Sequence, residues 1–185
     1  MNEIKIKSVS EIISLIEKKD YQLAEKELLK IINIKKNNYY AYFLLGNVYT
    51  QLKKFKNAIE QFELSLKLKA DDKITLYNLG VVHQENGSLN ISKNYFEQAV
   101  KLDPNYLNAN LALAKNYEKQ NNFEKAKIYF DKTLSIKNDY LLGNQLYGKF
   151  LIKIGEINKG QYYNYKYSGV IRFNEEQMEI KQCKE

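Results

Sequence analysis

Two side chains have the reactivity for covalent or metal chemistry, and each stands alone: His83 is the only histidine and Cys183 the only cysteine. A nucleophile needs a base within hydrogen-bond reach and a third group to orient that base. No Ser, Cys or carboxylate around His83 completes such a pattern, and one His with one distant Cys cannot build a metal site. The sequence has no glycine-rich phosphate loop, no His-Glu-x-x-His and no Cys-x-x-Cys. Cys183 reads as an ordinary thiol in a polar tail, without an internal disulfide partner. The chain is therefore not expected to be an enzyme, and no cofactor or metal is expected.

What remains is binding chemistry. The run Gln161-Tyr162-Tyr163-Asn164-Tyr165-Lys166-Tyr167 sets aromatic rings beside a lysine, a combination on which single-stranded bases can stack. Tyr163 with Tyr167, and Tyr162 with Tyr165, are at helical spacing, which favours packing against the tail instead. The net charge of +7 also invites a nucleic-acid partner, but the surplus is spread thinly and Arg172 is the only arginine. A phosphate-tracking surface needs a concentrated basic stripe, usually with arginine forks. Nucleic acid is thus a disfavoured partner, and the lysines read as a solvated exterior.

The elements that must position any binding residue announce themselves as a repeat. A hexapeptide returns five times, as KDYQLA at 19–24, KKFKNA at 53–58, GSLNIS at 87–92, NNFEKA at 121–126 and GEINKG at 155–160, with starts 34 residues apart. Each copy has a turn-tolerant start, an apolar third residue and a small sixth one. Such a period marks stacked structural units. On this grid the units are 5–38, 39–72, 73–106, 107–140 and 141–174, and within each the apolar residues recur at helical spacing twice. Eight glycines and the single Pro104 suit short connections between helices. The predicted fold class is all-α, two helices per unit, in one domain over residues 1–174, with a polar tail at 175–185.

Local signals fix several boundaries. Ser8-Val9-Ser10-Glu11 is a capping-box pattern that starts a helix over about Val9–Lys18. Asp20 can cap the second helix, with Leu23, Leu28, Ile31 and Ile32 on its apolar face, and Asp72 precedes a helix near Lys73. Asp103-Pro104-Asn105 and Asn138-Asp139 are expected to cap the first helices of units four and five. Asn86-Gly87 and Gly155 should end first helices in a left-handed conformation. Gly46, Gly80, Ala114 and Gly148 fall where helices must approach closely, and Phe62, Phe96 and Phe130 should plug into the following helix pair. Unit five departs, with Gly160 at the small position and Asn164 at the plug, as an end cap requires. Ser168–Phe173 has β-branched and aromatic character and reads as a short extended segment, followed by a polar tail compatible with a frayed helix.

The pattern Leu45-Gly46-x2-Tyr49, Ala58 and Phe62 in unit two returns as Leu79-Gly80-x2-His83, Ser92, Phe96 and Pro104 in unit three. In unit four it appears as Leu113-Ala114-x2-Tyr117, Ala126 and Phe130. Over roughly residues 5–174 the chain resembles the tetratricopeptide repeat family. The resemblance implies antiparallel helix pairs in an α-α superhelix whose concave groove is lined by the second, fifth, ninth and twelfth residues of each first helix. Those positions hold Tyr40, Phe43, Asn47 and Thr50 in unit two, and Ile74, Tyr77, Val81 and Gln84 in unit three. Units four and five supply Asn108, Leu111, Lys115 and Glu118, then Leu142, Gln145, Lys149 and Ile152. Family members that clamp a chaperone's C-terminal carboxylate need a Lys/Asn set here, and of Phe43, Asn47, Val81, Leu111 and Lys115 only Asn47 and Lys115 fit it. That clamp is rejected. His83 takes the place of Tyr49 and Tyr117, between helices, and reads as structural.

The expected function is a cytoplasmic scaffold or adaptor binding a protein or peptide partner in the groove, with no membrane span in the sequence. The alternative is a repeat module attached to, or working with, a separate transferase or oxygenase, and behind it stands RNA or single-stranded DNA binding.

Overall fold

Helix starts and stops follow the grid. The computed structural model describes residues 7–166, 171–174 and 179–182, and the chain falls into two compact units, Met1–Asp103 and Pro104–Glu185. The first unit holds α1 (Val9–Glu17), α2 (Tyr21–Ile34), α3 (Tyr39–Gln51), α4 (Phe55–Leu68), α5 (Lys73–Glu85) and α6 (Leu89–Leu102). The second holds α7 (Leu107–Lys119), α8 (Phe123–Ile136), α9 (Leu141–Lys153) and α10 (Ile157–Tyr165), then β1 (Ile171–Asn174) and β2 (Glu179–Gln182).

In the first unit the caps read from sequence at Ser8, Asp20 and Asp72 are made, and Asn38 adds one that was not read. The Ser8 hydroxyl accepts from the Glu11 amide while the Glu11 carboxylate accepts from the Ser8 amide, closing the capping box. Asp20, Asn38 and Asp72 accept from the amides of Leu23, Ala41 and Thr75. Each satisfies one of the free donors that a helix start leaves over.

Every hexapeptide begins on a residue in the left-handed region. The φ values are 62° at Lys19, 56° at Lys53, 83° at Gly87, 57° at Asn121 and 90° at Gly155. One such residue reverses the chain between the two helices of a pair. Only two of the five are glycine, so at Lys19 and Lys53 the geometry is imposed on a side chain that disfavours it.

Where glycine sits on a first helix, the second helix lies directly on it. A methyl group on Gly46 would come within 2.7 Å of the Phe62 ring, and one on Gly80 would meet the ring of Phe96. Phe62, Phe96 and the alanines Ala24, Ala58 and Ala126 are fully buried. Phe62 and Phe96 therefore seat on the glycine of their own helix pair, and Phe62 shares one core cluster with Leu79 and Val82 on α5 of the next. Phe130 behaves as expected: its ring lies 5.3 Å from Tyr147 and 5.1 Å from Phe150, both on α9 of the following pair.

Two further expectations are corrected. The N-caps of α7 and α9 are Tyr106 and Tyr140, without a side-chain cap bond, and neither Asp103 nor Asn138-Asp139 serves. Asp103 ends α6 and pairs with Lys73 at 2.5 Å. The buried Asn110 and Asn144 reach back instead. The Asn110 amide donates to the Pro104 and Tyr106 carbonyls, each at 3.0 Å, and the Asn144 amide to those of Asn138 and Tyr140, at 2.8 and 3.0 Å. In the tail, Ile171–Asn174 is extended as expected, but its antiparallel partner is Glu179–Gln182, with Ile171 opposite Gln182 and Asn174 opposite Glu179. A strand, not a frayed helix, therefore occupies part of the tail. The expected extension of Ser168–Val170, and the readings of Tyr167 and Cys183, lie outside the described residues.

Candidate interaction site

In the first unit, the first helices α3 and α5 present their expected lining residues from a rigid aromatic base. Tyr40 stacks on Phe43 at 5.7 Å, Phe43 leans on the buried Phe62 at 6.1 Å, and Tyr77 leans on the buried Phe96 at 5.8 Å. The plug rings thus hold the half-buried lining rings from behind. One turn further along, the Asn78 side-chain amide donates to the Asn47 Oδ1 at 2.9 Å, linking α5 to α3. The Thr50 hydroxyl donates to the Gly46 carbonyl at 2.8 Å, which turns its methyl outward from the helix backbone.

These residues frame a cavity of about 360 Å³, at the small end of the range for ligand pockets, roughly 300–1,000 Å³. Asn47, Thr50, Tyr77 and Val81, all expected lining residues, contribute to its wall. Ile16, Tyr21, Gln51 and Asn78 complete it, and sequence reasoning missed those four. Asn78 offered a signal, a polar residue between Leu76 and Leu79 on an otherwise apolar face. Ile16 and Tyr21 offered none, because they flank the turn of the first pair and reach the wall only through the fold. No lining side chain carries a charge. Tyr40, Phe43 and Gln84 are half-buried outside this cavity and Ile74 is exposed.

In the second unit the expected residues scatter in environment. Asn108, Leu142, Lys149 and Ile152 are exposed, Lys115 and Gln145 are half-buried, and Leu111 is buried. Glu118 accepts from Lys153 at 3.1 Å, tying α7 to α9.

The groups that could have carried other chemistry are packed as structure. His83 stacks on Tyr95 at 5.4 Å, the contact that Tyr117 makes with Tyr129 one repeat on at 5.6 Å. Burial lowers the His83 pKa, opposed by the charge of Glu63, so the ring is held neutral. Tyr163 lies 4.8 Å from the fully buried Tyr147 and so packs on α9, while the expected packing of this cluster against the tail lies outside the described side chains. Burial, reinforced by the bond to Glu25, pushes the Tyr49 hydroxyl up to about 12. Burial and then the bond to Asp131 raise Tyr147 in the same direction. Both tyrosines are neutral donors that join neighbouring helix pairs. Among the described residues no group of His, Cys, Asp and Glu could hold a metal ion, and no helix is long and apolar enough to cross a membrane.

A curated-protein search finds no match to the chain. Solved structures do share its fold. A crystal structure of MamA is similar at a TM-score of 0.75 with 21% identity, covering 88% of this chain and 94% of that one. PilW, a widely conserved type IV pilus biogenesis factor, gives 0.78 and 21%, covering 88% and 77%. YrrB, described as a TPR protein with an unusual peptide-binding site, gives 0.66 and 18%, covering 82% and 78%. Two family models match the sequence itself, one described as TPR repeat over residues 46–87 and one as tetratricopeptide repeat over 85–149, more than half of the chain together. The 34-residue period, the glycine-seated phenylalanines and these matches agree, and the chain belongs to the tetratricopeptide repeat family.

Proposed function

We propose that this chain is a scaffold that holds a peptide or protein partner on the surfaces lined by the first helices of its repeats. The observation that carries the reading is the first-unit cavity, where four residues at lining positions, Asn47, Thr50, Tyr77 and Val81, surround one recess backed by buried aromatic plugs. Rings with little freedom to lose and amides able to meet a backbone are what a peptide-holding surface needs. YrrB, of the same fold, is described as having a peptide-binding site, so the architecture can hold a peptide. In the second unit, Asn108, Lys115, Gln145 and Lys149 form the corresponding surface of α7 and α9, more polar and basic than that of the first. Phe43, Asn47, Tyr77, Lys115 and Lys149 are the residues on which partner binding should depend most.

Affinity capture from native cell extract tests this, with the double variant Tyr77→Ala, Lys115→Ala beside the wild-type chain. With helix content unchanged, the variant should lose the partners that the wild type retains. Recovery of the same partners by both proteins would refute the assignment of the surface.

A further inference from the structure

The first-unit cavity carries a more specific reading, which rests on the proposed partner-binding role of that surface. Its lining includes a half-made amide pair. Asn78 Nδ2 donates to Asn47 Oδ1 at 2.9 Å, and the return bond, from Asn47 Nδ2 to Asn78 Oδ1, is not made. Among the described residues neither of these two atoms has a hydrogen-bond partner, and neither is sealed from solvent. Both residues line the cavity, so Asn47 Nδ2 as a wholly unpaired donor group and Asn78 Oδ1 as a wholly unpaired acceptor belong to its wall. Exchanging O and N in both amides reverses their roles but still leaves one of each.

That arrangement selects by chemistry. A carboxylate offers acceptors only and would set one of them against Asn78 Oδ1; an ammonium offers donors only and would set one against Asn47 Nδ2. No lining residue could neutralise either ion, since the wall consists of Ile, Val, Tyr, Asn, Thr and Gln side chains. A primary carboxamide carries a donor and an acceptor on the same edge and can bridge the open side of the pair. Tyr21 and Tyr77 also line the cavity and offer ring surface to the methylene stem behind such a group.

We infer that this cavity is a subsite for a glutamine or asparagine side chain of an otherwise uncharged stretch of a partner polypeptide. Asn47 donates to its carbonyl and Asn78 accepts from its amide. The subsite discriminates by leaving a buried polar group unpaired whenever the wrong side chain enters, which is the strongest form of discrimination a neutral pocket has.

The test uses the full chain and short N-acetylated, C-amidated peptides differing at one central residue, Gln, Glu, Lys or Leu, with binding read by calorimetry and by amide chemical shifts on α3 and α5. The Gln peptide should bind at least about tenfold more tightly than the Glu and Lys peptides. Asn47→Asp, which exchanges the free donor for an acceptor, should reverse the order in favour of Lys. Equal binding of the Gln and Glu peptides, or no binding of any peptide to the wild-type chain, would overturn the inference. The series on the wild-type protein decides it even if Asn47→Asp does not fold. If the peptides fail while captured partners are still lost from the Tyr77→Ala, Lys115→Ala variant, the carboxamide subsite is wrong and the partner-binding surface stands. If capture is insensitive as well, both fail.

Discussion

The two units build the same helix pair from different parts. In the first, an Asn or Asp stands just before the first helix and a large residue stands at its fourth position: Asn38 with Tyr42, Asp72 with Leu76. In the second the two sites exchange character, a tyrosine before the helix and an asparagine inside it: Tyr106 with Asn110, Tyr140 with Asn144. The first arrangement gives a free helix amide its acceptor. The second gives the carbonyls of the preceding turn their donor, from a side chain that is almost wholly buried. The plugs differ in parallel: Phe62 and Phe96 rest on a glycine of their own pair, whereas Phe130 joins an aromatic cluster with Tyr147 and Phe150 of the next. One architecture thus tolerates two local solutions, provided each leaves the backbone satisfied and the space filled.

The comparison can be broken most forcefully at the plugs. Phe96→Ala should cost about 3 to 5 kcal/mol, because a fully buried ring leaves a cavity over Gly80, and chemical denaturation would measure it. A midpoint unchanged from wild type would mean that the ring is not the plug described. The caps come next. Asn144→Ala should cost about 2 kcal/mol, since it strips donors from two carbonyls near a buried side chain. Asp72→Ala should cost about 1 kcal/mol, the usual value of an N-cap. Equal losses in the two variants would remove the distinction between the devices. Smaller again is the turn: Lys53→Gly should raise stability by about 0.5 to 1 kcal/mol, by relieving a left-handed lysine at φ 56°. Asn121→Gly should gain less, because asparagine tolerates that region.

The smallest effect is one of pH, and it separates His83 from its counterpart Tyr117. The folded state holds the His83 pKa below its usual value of 6.5, so the unfolded chain binds the proton more readily. Stability is therefore undiminished above about pH 6.5 and declines as the pH falls below that value toward the lower pKa of the folded state. Thermal melts of wild type and His83→Tyr between roughly pH 7 and 5 should diverge, with the variant falling less steeply. Parallel slopes would show that the ring is not held neutral by burial.

The helix pairs were legible in the sequence because their determinants are local or strictly periodic: Ser8 with Glu11, the glycine at 46 and 80 with the phenylalanine sixteen residues on, and the turn residue at each hexapeptide start. What was not legible depends on where a side chain turns after the chain has folded. Asp103 and Asn138 sit where a cap belongs by composition, yet the helices begin later and Asn110 and Asn144 do the bonding from within. Tyr163 also meets Tyr147 on α9, a contact between helices that spacing along one helix does not reveal. Of the cavity wall, Asn47, Thr50, Tyr77 and Val81 could be counted off along the repeat. The other half of the wall could not, because Ile16 and Tyr21 come from a different pair and Asn78 lies one residue off the counted positions. The pairing of β1 with β2 was also hidden, since four-residue strands of mixed polarity have no period strong enough to read.

One detail of α10 has a bearing on how such a chain can change its length. A methyl on Gly148 would meet the Gly160 carbonyl at 2.6 Å and the Asn164 amide nitrogen at 2.7 Å, so α9 and α10 touch backbone to backbone. With Asn164 at the place of Phe62, Phe96 and Phe130, α10 carries no phenylalanine plug at that position. Duplication of a whole 34-residue module at this end would therefore leave the new pair without an anchor. Inserted between two phenylalanine-bearing pairs, the same module would find both of its neighbours prepared.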